Sequence, residues 1–181
     1  MSGSSTLHTE RLVLRRWRDS DRVPFHALNA DPKVMATIGP VMARAESDAF
    51  MNRIEQHFEE HGFGLWCVVL DGEPIGFTGF MVPWFRDGLE IGWRIRSNHW
   101  GCGYAPEAAS ECLRHGFGTL GFEEVISFTA QINTKSRRVM EKLGLERDVL
   151  ADFDHPSVPD GNVLRPHVLF RMTASQYGSL P

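Results

Sequence analysis

Leu89-Glu-Ile-Gly-Trp-Arg-Ile-Arg-Ser-Asn-His-Trp-Gly-Cys-Gly-Tyr-Ala-Pro-Glu-Ala108 is the stretch that organises this sequence of 181 residues. Its first part, Leu89–Ile95, is rich in branched and aromatic residues and predicts a strand. Gly101 and Gly103 predict a tight loop next, because neither has a Cβ to keep its N–H from turning toward a common point. Pro106 falls in the first turn of a helix, where a missing N–H does no harm. Strand, glycine loop and helix start together leave free N–H donors at the positive end of a helix, an arrangement suited to phosphate. A plain strand-to-helix turn has the same outline. The loop is neither a Walker loop, since no Gly-Lys-Ser/Thr follows, nor a full Gly-x-Gly-x-x-Gly.

Downstream of this loop, Ala108, Ala109, Cys112, Leu113 and Gly116 share one helical face, small enough to sit close on a sheet. Val125–Thr129 predicts a strand and Thr134–Leu143 a short helix stopped by Gly144. Two last strands are expected near Leu145–Phe153 and Val163–Met172, around a loop rich in Pro and Asp. Upstream, Leu12, Leu14 and Trp17 mark a first strand, and Asp19 or Ser20 caps a short helix toward Asn29. Pro32 opens a turn that Gly39-Pro40 closes. Phe50, Ile54 and Phe58 form the buried stripe of a helix from Ala45 to His61. Asp71-Gly72 joins the strands Leu65–Leu70 and Phe77–Met81 as a hairpin, and Asp87-Gly88 is a further turn. Hairpins first and strand–helix–strand–helix later imply a mixed-sheet α/β (α+β) fold. A single domain over residues 1–181 is expected, with loose tails at Met1–Thr6 and Ser175–Pro181.

Composition narrows the function classes. An apolar share of 42% and a charged share of 23% are those of an ordinary soluble domain. The net charge of −4 offers no basic surplus for nucleic acid. The longest apolar run, Leu65–Leu70, is far short of the ~20 residues that cross a bilayer. Met1–Arg11 lacks a signal peptide's apolar core. Cys67, Cys102 and Cys112 are too scattered for a disulfide framework or a zinc pair. The expectation is a cytoplasmic protein with no membrane span, no direct nucleic-acid partner and no metal. His57 and His61 have zinc-protease spacing, but Glu does not follow the first His, so a solvated helix face is expected there. Lys135, Arg137, Arg138 and Lys142, interspersed with Glu141, read mainly as a solvated face, alternatively as partners for a ligand's phosphates or an RNA. Cys102 is no nucleophile on this pattern, having only His99 nearby and no His–acid pair.

Asn133-Thr-Lys-Ser-Arg-Arg-Val-Met-Glu-Lys-Leu-Gly144 changes the weight of the glycine loop. With Thr9-Glu-Arg-Leu-Val-Leu-Arg15, Glu90-Ile-Gly-Trp-Arg-Ile and Trp100-Gly-Cys-Gly-Tyr-Ala-Pro-Glu-Ala, it resembles the GNAT superfamily of N-acetyltransferases, most closely the RimJ/RimL-like group. The resemblance runs from about residue 7 to 172. It implies a central mixed, mostly antiparallel twisted sheet of about seven strands, flanked by helices and splayed between the fourth and fifth. It also implies acetyl-coenzyme A as co-substrate. The backbone of Trp93, Arg94 and Ile95 would meet the pantetheine arm, and Asn133 would fasten it from the other side of the splay. The loop Asn98, His99, Trp100, Gly101, Cys102, Gly103 and Tyr104 would hold the pyrophosphate. Two departures reduce side-chain help: Asn98 where the superfamily prefers Gln or Arg, and Cys102 where a basic residue is common.

The implied reaction moves acetyl to a primary amine, a protein N-terminus or a small molecule, by direct attack in a ternary complex. The alternative is a non-catalytic acyl-coenzyme A-binding or sensing module. Amines of pKa about 8 to 10.4 must lose a proton first. Glu90 is the expected base, against an exposed residue beside a turn; Asp152, Asp154 and His155 stand in reserve. Some relatives carry a Glu on the fifth strand, but Val125–Ile132 has none. Where many members place a Tyr this chain has Met140, so Ser136 is expected to give the leaving thiolate its proton, rather than only capping the helix. Residues Asp31–Met42 are expected to wall the acceptor site, with Pro83, Trp84, Phe85, Trp66 and Trp100 either lining it or lying in the core. The loop Asp152–Gly161 would attract a cationic amine, or serve as a polar connection used in homodimer packing.

Overall fold

The computed structural model describes residues 6–180, so most of the expected Met1–Thr6 tail, and Pro181, lie outside the described residues. The strands are β1 (Leu7–His8), β2 (Val13–Arg15), β3 (Leu65–Leu70), β4 (Glu73–Met81), β5 (Glu90–Ile95), β6 (Glu124–Ala130), β7 (Glu146–Arg147), β8 (Phe153–Asp154) and β9 (Pro166–Thr173). The helices are α1 (Arg22–Asn29), α2 (Pro32–Met35), α3 (Arg44–His61), α4 (Tyr104–Gly118), α5 (Thr134–Lys142) and α6 (Ala174–Gly178). One mixed sheet runs β1-β2-β3-β4-β5-β6-β9-β7, with β8 also on β9. Every pairing is antiparallel except β5 with β6, which share a single register pair, Glu90 with Ile126. These are the fourth and fifth of the expected strands, and they splay as anticipated.

Among the described residues nine strands replace the expected seven or so, for two reasons. β1 is a two-residue addition, and the strand expected over Leu145–Phe153 breaks into β7 and β8 around a 3-10 turn at Val149–Ala151. Arg147 and Asp152 close that turn as an ion pair, leaving Leu150 in solvent. The tail expected over Ser175–Pro181 is also partly ordered. Thr173 caps α6 by accepting from Gln176 N–H, Tyr177 stacks on Phe117 at 4.8 Å, and Leu180 lies over Gly144.

The core forms where apolar faces of α1, α3 and α4 meet the sheet. Trp66, Phe25, Phe58, Phe80 and Ile54 are among its largest fully buried side chains. Neither Asp19 nor Ser20 caps α1; a 3-10 turn precedes it, and the buried Asp21 carboxylate accepts from Arg18 N–H and from both Nη atoms of Arg15. Removing one partner of such a buried pair costs about 3–5 kcal/mol, because the other charge stays behind. On α3 the buried stripe is Ser47, Met51, Ile54 and Phe58, whereas Phe50 is half-buried and turned to a cleft. His57 does not lie on a solvated face. Its Nδ1–H donates to the Phe63 carbonyl at 2.8 Å, and its Nε2 accepts from Val82 N–H at 3.1 Å, with burial holding its pKa below the ordinary histidine value. That fixes one neutral tautomer and ties α3 to the segment after β4.

Candidate active site

The splay between β5 and β6 opens into a cavity of about 880 Å³, bounded by α2 at one end and α5 at the other. The glycine loop forms one rim. Gly101 and Gly103 have φ of +79° and +82°, left-handed values that cost a residue with a Cβ roughly 1–2 kcal/mol. Among the described residues, the N–H groups of Gly101, Cys102, Gly103 and Tyr104 have no internal acceptor. They sit at the start of α4, where the helix field favours an anion. Glu107 in the first turn would oppose an anion, but it accepts from Thr9 Oγ1 at 2.6 Å and from Arg11 N–H and Nε. Arg11 also lies over the Tyr104 ring at 4.5 Å.

β5 supplies a second set of donors. In an antiparallel ladder alternate residues bond to one neighbour. Ile91 O accepts from Ser127 Oγ on β6 at 2.8 Å, so Ile91, Trp93 and Ile95 turn their peptides toward the splay. The Ile95 carbonyl is taken by Trp100 Nε1–H at 2.8 Å, leaving Trp93 N–H and C=O and Ile95 N–H to face the gap. Arg94 turns its peptide to β4 instead, in register with Phe77, and its side chain leaves the opposite way. Across the gap Asn133 caps α5: its Oδ1 accepts from Ser136 N–H at 3.2 Å, and its Nδ2 donates to Thr129 Oγ1 at 2.9 Å. The Ser136 hydroxyl is therefore not the cap, and Ser136 is one of the residues lining the cavity.

Glu90 stands at the point of divergence and is no exposed turn residue. Its half-buried carboxylate lines the cavity beside Gly92, whose missing Cβ leaves the space next to Oε1 open. Burial raises its pKa from 4.5 to about 8, and the Arg86 charge offsets only part of this. A carboxyl poised near neutrality can accept a proton from an amine and return it to water. His155 and His167 line the same wall, with ring centroids 4.8 Å apart and burial lowering the pKa of both below the ordinary histidine value. His167 donates its Nδ1–H to the Arg165 carbonyl, which leaves Nε2 as an acceptor.

The family of the acetyltransferase (GNAT) domain matches residues 11–146. The chain belongs to the GNAT acetyltransferase family. It is an acetyl-coenzyme A-dependent acyltransferase. It is 33% identical to the FsC-acetyl coenzyme A-N(2)-transacetylase of Aspergillus fumigatus, over 95% of this chain and 77% of that protein. A GNAT-family acetyltransferase structure from Bacillus anthracis superposes with a TM-score of 0.79 at 26% identity, over 94% of this chain and 99% of that one. Mycobacterium smegmatis RimJ, solved with a coenzyme A disulfide, shares the fold with a TM-score of 0.77 at 20% identity, over 97% and 90%.

In this GNAT chain most residues expected at the site do line the cavity, namely Trp93, Arg94, Ile95, His99, Trp100, Gly101, Gly103, Tyr104, Asn133, Ser136 and Glu90. Asn98 and Cys102 do not; both are exposed, and the Cys102 thiol lies 3.7 Å from the Trp100 carbonyl. Cys67 and Cys112 are buried and do not line the cavity, with burial pushing the Cys67 thiol up to about 12. Trp66 belongs to the core, while Trp84, Phe85 and Trp100 line the cavity, as do Val34, Thr37 and Ile38 from the expected wall. The basic run is not simply a solvated face. Lys135, Arg138 and Lys142 line the cavity, and Lys135 Nζ lies 3.7 Å from the centre of the Trp100 ring.

In the acidic loop the geometry fits the polar connection rather than the lure for a cationic amine. Asp152 is paired with Arg147, while Asp154 and Asp160 pair with Arg165 at 3.3 and 3.0 Å. None of the three lines the cavity. Sequence patterns gave no sign of these arginine partners, nor of His167. The open N–H groups of the glycine loop, the unpaired peptide edge of β5 and the cations of α5 together suit an elongated ligand with an amide-rich arm and phosphates. Among the described residues no helix is long and apolar enough to cross a membrane.

Proposed function

We propose that this chain transfers acetyl from acetyl-coenzyme A to a primary amine in a ternary complex, with Glu90 as the base. The observation that carries the reading is the Glu90 carboxyl, with a pKa near 8, in the wall of the cavity that also holds the open glycine loop. In this scheme the N–H groups of residues 101–104 hold the pyrophosphate, and Lys135, Arg138 and Lys142 add charge on the facing side. Trp93 and Ile95 offer peptide groups to the pantetheine, and the remaining amide hydrogen of Asn133 faces it across the gap. Bound acetyl-coenzyme A supplies a thioester carbonyl and a thiol leaving group. Glu90 takes a proton from the amine, and the Ser136 hydroxyl donates a hydrogen bond where the thiolate departs. The carbonyl oxygen meets a strand N–H. The acceptor is an amine on a peptide N-terminus or on a small molecule.

The deciding experiment measures release of free thiol from acetyl-coenzyme A with N-terminal peptides, amino acids, polyamines and amino sugars. Amine-dependent release that disappears in Glu90→Gln is the expected result. Tight coenzyme binding with no release on any amine would instead identify a sensing module.

A further inference from the structure

Arg94 is a half-buried cation with a fully buried Nε and, among the described residues, no counter-ion. It leaves β5 on the same face as Glu90, packs its guanidinium over Phe77 at 5.1 Å and Phe50 at 5.9 Å, and lines the cavity. Its Nη1 donates to Asn29 Oδ1 at 2.5 Å, and Asn29 is held in turn by its Nδ2 donating to Ser47 Oγ at 3.0 Å. Asn29 and Ser47 are fully buried, so this chain of bonds fixes the guanidinium in place. Nε is buried without a partner, and among the described residues Nη2 has none and no carboxylate lies within ion-pair distance. Burial alone lowers the Arg94 pKa to about 10. A charge removed from water in this way is normally paired, and the planar fork of an arginine matches a carboxylate.

The rest of the cavity points the same way. Glu90 is the one carboxylate among the described lining residues, against Arg53, Arg94, Lys135, Arg138 and Lys142. Three of these cations belong to α5, beside the proposed phosphate sites. Arg53 and Arg94 lie apart from them, with Phe50, Val34 and Ile38 at the α2–α3 end of the cavity. A polycation would meet repulsion there, and an anion would find Arg94 among aromatic rings, with the exposed Arg53 on the same Phe50 ring.

We propose that Arg94 receives a carboxylate carried by the acceptor, so that the amine acetylated here belongs to a molecule that also bears an acid. The proposal rests on the transfer function above and names the substrate class for that same site. Strand rise places the Cα atoms of Glu90 and Arg94 about 13 Å apart, so the match between amine-to-acid spacing and site is part of the test.

The experiment uses acceptor pairs that differ only in the acid: amino acids from glycine to 6-aminohexanoate and short peptides, each against its carboxamide. Thiol release should favour the acid member of the best pair by at least tenfold. Arg94→Gln should raise KM for that acid 10- to 100-fold, erase the preference over the amide, and leave the dissociation constant for acetyl-coenzyme A unchanged. Arg94→Lys, which keeps the charge without the fork, should restore part of the preference. Circular dichroism checks that both variants fold, and the acid–amide comparison on the unmodified protein needs no variant. Equal use of acid and amide, a preference that survives Arg94→Gln, or polyamines as the best acceptors would overturn the proposal while leaving the transferase function standing. Weakened coenzyme binding in Arg94→Gln would overturn it too, by assigning the anion to the coenzyme. Absence of thiol release with amines of every class would reject the transfer function itself, and this proposal with it.

Discussion

Glu90 lies opposite Ile126, the one register pair that β5 and β6 share before they part. The carboxyl therefore stands where a continuous sheet becomes a gap, with protein on several sides and the cavity in front.

That position sets a pH dependence. With a pKa raised from 4.5 to about 8, Glu90 is mostly protonated at neutrality. As a base its activity should climb with pH and level off above about 8, and Glu90→Gln should lower turnover roughly 10²–10⁴-fold and flatten the climb. Stability runs the other way. The folded form holds its proton more tightly than the unfolded chain, so stability falls between pH 4.5 and about 8 and is level beyond. Glu90→Gln removes this loss, so its Tm should exceed the parent's at pH 8.5 and approach it near pH 5. A pH–rate profile and thermal melts at the two pH values check both signs.

Ser136→Ala isolates the hydroxyl, because the cap of α5 uses only the Ser136 N–H and the Asn133 carboxamide. Turnover should drop about tenfold or more, with coenzyme affinity and Tm nearly unchanged. Asn133→Ala, by contrast, should cost about 1 kcal/mol of stability through loss of the cap. Stopped-flow turnover, calorimetric titration and melting separate the two. An intact turnover with weakened binding would make Ser136 a positioning group.

Gly103→Val should weaken acetyl-coenzyme A binding at least tenfold while the sheet persists. The residue has φ of +82°, and an added Cβ would sit 3.5 Å from Arg11 Nη2, an ordinary contact. Backbone strain of about 1–2 kcal/mol, rather than a clash, is the expected disturbance. Calorimetry with a circular-dichroism control tests this, and unchanged affinity would place the phosphates elsewhere.

Asp152→Asn combined with Asp154→Asn should leave the acceptor KM within a factor of two of the parent's. Both carboxylates are committed to Arg147 and Arg165 and lie off the cavity. Exposed pairs of this kind contribute about 0–1 kcal/mol, so stability should change little. A clear rise in the amine KM would restore the loop as an electrostatic lure.

Much of the frame was legible because local chemistry and tertiary role coincide. Hairpin residues such as Asp71-Gly72, the small face of α4 and the paired glycines of the loop each signal their own conformation. What escaped depends on partners distant in sequence. The arginines that neutralise the acidic loop, the Asn29–Ser47 support of Arg94 and the imidazole tie from His57 to Val82 are all products of packing. The broken strand over Leu145–Phe153 was missed for a related reason, since alternation cannot reveal a turn closed by Arg147 and Asp152.

The clamp on Glu107 ties the phosphate loop to the order of folding. Thr9 and Arg11 stand 98 and 96 residues before the carboxylate they hold, so the contact closes one of the longest loops in the chain. Closures of that length come after local helices and hairpins have formed. A refolding chain can thus regain its helical spectrum while the start of α4 still carries an unneutralised negative charge facing the incoming phosphates. Coenzyme affinity should then lag behind secondary structure during refolding, and so report the docking of the amino-terminal strand rather than the return of helices.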